Sequence, residues 1–212
     1  MTKYTIGIDL DNTIVRYDQL FHDLALEENL IPKHLPSTKT AVRDFLINND
    51  QEDEWTKLQG RVYGESMSRA APFPHALKTI HKLHSDDALN VVIISHRSRY
   101  PYLGDKVNLH SSAIQWLSKY GLGHIDVHLK ESTDAKIKAI QDNRCTVFID
   151  DLPELLLHTH FPKKTRRIWF TPNSQQTILK QYAQLESARS WLEIERLNQL
   201  SVMTKNRLQY IK

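Results

Sequence analysis

Apolar residues in this chain gather in short continuous runs rather than in strict alternation with polar ones. Runs of β type occur at Tyr4 to Asp9, Asn90 to Ser95, Ile125 to Leu129, Thr146 to Asp150 and Arg167 to Phe170. Stretches such as Val91-Val92-Ile93-Ile94 leave no polar face, the pattern of strands covered by helices on both sides. Between the runs the spacing becomes helical. Leu77, Ile80 and Leu83 share a face within His75 to His84, and Ile114 and Leu117 recur within Lys106 to Tyr120, ahead of Gly121 as a stop. Asp134 to Gln141 makes a shorter helix. This rhythm predicts an α/β chain on a Rossmann-like, three-layer parallel sheet of five strands.

The rhythm breaks once, between the first run and the second. There Leu20, Phe21 and Leu24, then Val42, Phe45 and Leu46, then Trp55, Leu58 and Val62 fall at helical spacing. Residues 16–73 are therefore expected to form a small helical cap inserted after the first strand. Its close is Ala71-Pro72-Phe73-Pro74, where proline opposes helix continuation and restricts the residue before it. Residues 1–15 and 74–172 then make the α/β core. The tail, 173–212, also reads as helical, with Trp191, Ile194 and Leu197 three apart, and is expected to dock on the core or to pair two copies as a homodimer.

Composition changes this picture little. With 212 residues, 40% apolar and 25% charged, the chain can bury a core of its own. A formal charge of only +3, with basic residues spread along the chain, lacks the footprint of a dedicated nucleic-acid binder. A single cysteine, Cys145, excludes an internal disulfide and lies in an apolar run, where packing is its expected role. The start lacks a signal-peptide pattern, and no segment approaches the ~20 apolar residues that span a bilayer, so a cytoplasmic protein without membrane contact is expected.

The candidate chemistry lies where the apolar runs end. Asp9-Leu10-Asp11-Asn12-Thr13 places two carboxylates two positions apart at the end of the first run, and in extended chain such residues leave on one face. Both could then reach one bound phosphate. The second run ends at Ser95-His96-Arg97, offering a hydroxyl and backbone N–H groups, and the fourth at Asp150-Asp151. Lys136 lies on the helical segment before that fourth run. In open α/β sheets ligands sit outside the carboxyl ends of the strands, so these distant groups can converge. Four carboxylates in one crevice repel one another unless positive charge compensates, and Lys136 with a hard, oxygen-loving cation such as Mg²⁺ would supply it. The chain carries 11 histidines, including His158-Thr159-His160 and the pair His81 and His84, but neither group offers the further ligands of a compact zinc site.

In this order, Asp9-Leu10-Asp11-Asn12-Thr13, Ser95, Lys136 and Asp150-Asp151 resemble the four motifs of the haloacid dehalogenase-like hydrolase superfamily. The resemblance covers roughly residues 4–15 and 74–172, and the insertion falls where many members carry a helical cap. It implies a five-stranded parallel core, an aspartyl-phosphate intermediate and dependence on Mg²⁺. Carried onto this chain, it makes Asp9 the nucleophile and a metal ligand. Asp11 becomes the general acid and base, with a metal contact through its carbonyl. Ser95 and the His96 amide would bind the phosphoryl oxygens, and Lys136 would neutralise charge. Asp150 would ligate the metal and Asp151 would hold a metal-bound water or orient Lys136, two roles the sequence does not order. Lys130 competes with Lys136 for the lysine role.

A carboxylate at Asp11 favours a phosphatase over a dehalogenase, because an alkoxide leaving group needs a proton and a halide does not. The implied partner is a small phosphorylated metabolite, a phosphosugar or nucleoside monophosphate. Its leaving group would meet cap residues drawn from Arg43, Trp55, Lys57, Arg61, Tyr63 and Arg69, or the segment Arg97 to Gly104. Two other functions use the same residues: a non-catalytic metal-binding or scaffolding subunit, and a phosphotransferase to another alcohol.

Overall fold

The computed structural model describes residues 4–172 and 176–197. The first strand, β1 (Tyr4–Ile8), leads through β2 (Val15–Arg16) into three helices, α1 (Asp18–Glu27), α2 (Lys39–Asn48) and α3 (Glu52–Tyr63). A 3-10 turn (Glu65–Arg69) and β3 (Ala71–Pro72) return the chain. There follow α4 (Ala76–His84), β4 (Leu89–His96), α5 (Leu109–Lys119), β5 (Asp126–Lys130), α6 (Thr133–Asp142), β6 (Cys145–Asp150), α7 (Pro153–Leu156), β7 (Arg166–Phe170), α8 (Gln176–Gln181) and β8 (Glu186–Ala188).

One parallel sheet runs in the order β5-β4-β1-β6-β7-β8. It has six strands rather than five, because β8 joins the edge beside β7. That strand falls in the tail expected to be helical. Glu186-Ser187-Ala188 has no apolar run to announce it, and it pairs through the backbone. Residues 191–197 are helical, and Trp191 and Ile194 are buried against the core. The remainder of the expected helical tail, 198–212, lies outside the described residues.

The continuous apolar runs are explained by cover on both faces. Val92, Ile94 and Phe148 pack under α6 and α7 with Ile137, Ile140 and Leu155. Val91, Ile93, Ile6 and Ile8 pack on the opposite face with Ile80, Ala113 and Trp116. Gly7 belongs to this arrangement, since a Cβ there would lie 2.6 Å from the Phe148 ring. The inserted helices α1, α2 and α3 pack on one another through Phe21, Leu46 and Leu58, with Phe21 stacked on Trp55 at 5.0 Å. The insertion is joined at its base by an antiparallel ribbon in which Val15 pairs with Pro72 and Arg16 with Ala71. Pro72 is tolerated there because a two-stranded ribbon leaves one edge unpaired.

Candidate active site

Register does most of the assembly. Ile8 pairs with Ile149 on one side and Ile93 on the other, so Asp9 emerges beside Asp150, and Ser95 is the next-to-last residue of the neighbouring strand. Adjacent strands lie about 4.8 Å apart, which makes the Asp9 and Asp150 side chains neighbours. The Asp9 amide donates to the Ile149 carbonyl at 2.9 Å, fixing the first residue past β1. Helix α6 brings the cation. Ser132 caps it by accepting from the Ala135 amide, and one turn later Lys136 turns inward with Ile137 and Ile140. Its Nζ donates to Asp9 Oδ1 and to Asp150 Oδ2, each at 2.6 Å, from a site where the lysine is 2% exposed. Lys130, the competing lysine, stands half-buried at the end of β5.

Asp151 completes the group. One carboxylate oxygen each from Asp9, Asp150 and Asp151 lie within 4.8 Å of one another. Burial, opposed by Lys136 and reinforced by Asp150 and Asp11, pushes the Asp9 carboxyl up to about 7. Burial, and then Asp150 and Asp9, likewise raise Asp151 well above the usual carboxylate range. For Lys136 burial works against the charge, but Asp150 and Asp9 outweigh it and hold the ammonium above its ordinary value. The cluster carries more negative charge than one lysine neutralises, and its donors are all hard oxygens. That donor set fits Mg²⁺.

Asp11 does not join this cluster. Its Oδ1 accepts from the Tyr17 hydroxyl at 2.6 Å and from Arg97 Nη2, and its Oδ2 accepts from Arg97 Nε at 3.2 Å. The chain turns sharply after it, with Asn12 in the left-handed region at φ 58°, which asparagine tolerates. Asp11 lines a cavity of about 310 Å³ with Thr56, Gln59, Tyr63, His96 and Ser98. Two buried hydroxyls at this end of the sheet, Ser95 Oγ and Thr13 Oγ1, have no hydrogen-bond partner among the described residues. Buried polar atoms are rarely left so, and a bound anion would satisfy them. The Arg97 amide donates to Lys130 on the β5 side, so strand alternation turns the His96 amide toward the β1 side. The His96 side chain is exposed and lines the cavity.

Several residues expected to read the substrate are occupied elsewhere. Lys57 pairs with Glu54 at 2.7 Å, Arg43 with Asp44 at 2.8 Å, Arg69 with Glu27 at 2.5 Å and Arg61 with Glu28, while Trp55 is core. Arg99 reaches Glu131 at 3.5 Å, and Arg97 is buried. Of the cap candidates only Tyr63 lines the cavity at Asp11. Lys39 was missed. Its Nζ donates to the Tyr63 hydroxyl at 2.8 Å, and Tyr63, Asp151 and Asp11 outweigh burial to raise its pKa. Thr13 was also unforeseen as a candidate anion ligand. No spacing rule marks either residue, since each acquires its place through the fold. His158 and His160 approach Asp134 at the surface, the second close group of metal-capable side chains among the described residues.

No protein-family model matches the chain, and no curated protein does. Solved structures do. A haloacid dehalogenase-like family hydrolase from Streptococcus pneumoniae superposes with a TM-score of 0.62 at 19% identity, over 91% of this chain and 96% of that one. The HAD-hydrolase YfnB from Bacillus subtilis, bound to magnesium, gives 0.60 at 13% identity over 93% and 99%. A protein described as a predicted phosphatase from Clostridium acetobutylicum gives 0.58 at 15% identity over 92% and 98%. This chain has the haloacid dehalogenase-like fold. An L-2-haloacid dehalogenase, RSc1362, shares that fold at a TM-score of 0.52 and 10% identity, over 94% and 100%. The haloacid dehalogenase-like fold thus accommodates more than one chemistry, and the choice falls to the side chains. Among the described residues no helix is long and apolar enough to cross a membrane.

Proposed function

We propose that the chain is a Mg²⁺-dependent phosphatase of small phosphate monoesters, acting through an aspartyl-phosphate on Asp9, with residues 16–73 as its cap. The observation that carries this reading is the buried triad Asp9–Lys136–Asp150, with Lys136 Nζ at 2.6 Å from each carboxylate and Asp151 alongside. A lysine so placed holds one Asp9 oxygen and leaves the other for phosphorus. Attack forms the Asp9 O–P bond as the bond from phosphorus to the leaving oxygen breaks, and Asp11 gives its proton to that oxygen. Asp11 then takes a proton from water as the water attacks phosphorus. The P–O bond to Asp9 breaks, releasing phosphate and restoring the carboxylate. Ser95 Oγ, Thr13 Oγ1 and the His96 amide would bind phosphoryl oxygens throughout, with Lys136 neutralising charge. Mg²⁺ held by Asp9, Asp150 and the Asp11 carbonyl, with Asp151 behind it, would offset the negative charge on the transferring group.

Asp11 favours this reading over dehalogenation, since a halide departs without a proton. The cavity at Asp11 supports a small organic leaving group, that of a phosphosugar or nucleoside monophosphate. Its lining combines hydrogen-bonding groups, Thr56, Gln59, His96 and Ser98, with the rings of Tyr63 and Tyr102, its one arginine is consumed internally, and its size is at the small end of ligand pockets, about 300–1,000 Å³.

The test is phosphate release from an aryl phosphate and a panel of phosphosugars and nucleoside monophosphates, with Mg²⁺ or with EDTA. Release that needs Mg²⁺ and is lost in Asp9→Asn supports the proposal. Product without free phosphate would indicate transfer to another alcohol, and metal binding without turnover a scaffolding subunit. Halide release from a 2-haloacid by a protein inert to phosphate esters would overturn it.

A further inference from the structure

Arg97 is a buried guanidinium whose N–H groups are engaged from every side. Nη1 donates to the carbonyls of Tyr63 at 3.0 Å and Leu109 at 3.2 Å and lies 3.2 Å from Met67 Sδ. Nη2 donates to the Tyr17 hydroxyl at 2.9 Å and to Asp11 Oδ1, and Nε donates to Asp11 Oδ2 at 3.2 Å. Its own backbone is pinned as well, by the hydrogen bond its amide donates to the Lys130 carbonyl at 2.7 Å and by His110 Nε2 at 2.9 Å from its carbonyl. Its fork is therefore set before Asp11 is considered. The pair is unequal in exposure: the Arg97 side chain is 3% exposed and that of Asp11 18%. Both residues line the cavity, and Asp11 is the more exposed of the two.

We propose that Arg97 is a positioning residue for Asp11, aiming its carboxyl into the leaving-group cavity and tying that aim to the helical insertion. The tie follows from the partners, since the Tyr63 carbonyl and Met67 Sδ belong to the insertion and Leu109 and Asp11 do not. The two Asp11 oxygens are also differentiated. Among the described residues Oδ1 receives two donors, Tyr17 and Arg97 Nη2, whereas Oδ2 receives only Nε at 3.2 Å. Oδ2 is thus the less engaged of the two oxygens among the described residues. A lysine would supply the charge but not the planar fork that fixes both oxygens.

This inference rests on the reading of Asp11 as general acid, and leaving-group dependence tests the two separately. The probes are 4-nitrophenyl phosphate, whose leaving group needs little protonation, and the best phosphosugar of the panel, whose alkoxide needs it fully. The variants are Arg97→Lys, Tyr17→Phe and, as reference, Asp11→Ala. Positioned general acids contribute about 10²–10⁴ in rate. Arg97→Lys is expected to lower kcat/KM on the phosphosugar about 10²-fold while changing the nitrophenyl ester less than about threefold. Tyr17→Phe should show the same selectivity to a smaller degree, and it decides the matter should Arg97→Lys fail to fold. A uniform loss on both esters, or no loss on the phosphosugar, in variants that fold and bind Mg²⁺, overturns the role of Arg97 provided Asp11→Ala is itself selective. An unselective Asp11→Ala overturns the general-acid reading, and this inference with it.

Discussion

Lys136 must neutralise two carboxylates at once from a position almost closed to water. Removing one partner of a buried ion pair costs about 3–5 kcal/mol, because the charge left behind has no compensation. Lys136→Met is therefore expected to lower the denaturant midpoint and to abolish turnover, since Asp9, the proposed nucleophile, loses its neutralising contact; far-UV circular dichroism would confirm that the variant folds. Wild-type turnover in Lys136→Met would remove this lysine from the chemistry. Lys39 presents a different case. The one hydrogen bond of its side chain among the described residues goes to the Tyr63 hydroxyl, and the fields of Asp11 and Asp151 reach it. Under the proposed function it is expected to be a cation through which the insertion meets the substrate phosphate. Lys39→Met is expected to raise KM about tenfold or more with little change in fold stability, roughly the worth of one charge-assisted hydrogen bond. An unchanged KM would make it a purely structural partner of Tyr63.

One close contact governs how the insertion meets the core. Helix α3 comes so close to the segment after β4 that a Cβ on Gly60 would lie 2.9 Å from Pro101 Cβ. Gly60→Val should cost about 1–3 kcal/mol by overpacking. It should also raise KM more than it lowers kcat, because Thr56, Gln59 and Tyr63 of the cavity lie on the same helix; equal effects on both would place the contact outside substrate binding. The strands, the helical insertion and the convergence of Asp9, Ser95, Lys136 and Asp150 at one end of the sheet were legible because periodicity and strand ends carry them. What was not legible depends on partners remote in sequence. Arg97 reads as a free cation beside the site, yet it is consumed by acceptors from Tyr63, Met67, Leu109, Tyr17 and Asp11. Lys39 gains meaning only once α2 is folded against α3. Strand β8 has no apolar run, and Trp191, whose indole donates to the Thr13 carbonyl at 2.9 Å, shows no sign in sequence of bracing the loop after Asp9.

For the whole molecule the acidic cluster should make stability a function of pH and, under the proposed function, of Mg²⁺. Asp9 is pushed up from 3.8 to about 7 and Asp151 is raised as well, so both carboxyls ionise less readily folded than unfolded. A raised carboxyl stabilises the fold only while it keeps its proton. Its contribution is full below the unfolded value, is lost as pH climbs from about 4 to about 7, and stays lost above. The metal-free protein should therefore lose on the order of a few kcal/mol from this source between pH 4 and 7, at 1.36 kcal/mol per pKa unit. That corresponds to several degrees in Tm, at about 2–4 °C per kcal/mol for a chain of this size. Other groups titrate in the same range, and the difference between wild type and Asp9→Asn isolates this one, since the amide cannot ionise. Mg²⁺ should act in the opposite sense. It competes with protons for the same oxygens, so the rise in Tm on adding Mg²⁺ should be small at pH 5, grow toward pH 8 and fall sharply in Asp9→Asn. Differential scanning fluorimetry of both proteins across this range, with Mg²⁺ or EDTA, reads all of these terms. A Mg²⁺ shift independent of pH and unchanged in Asp9→Asn would place the ion elsewhere than on Asp9, Asp150 and Asp151.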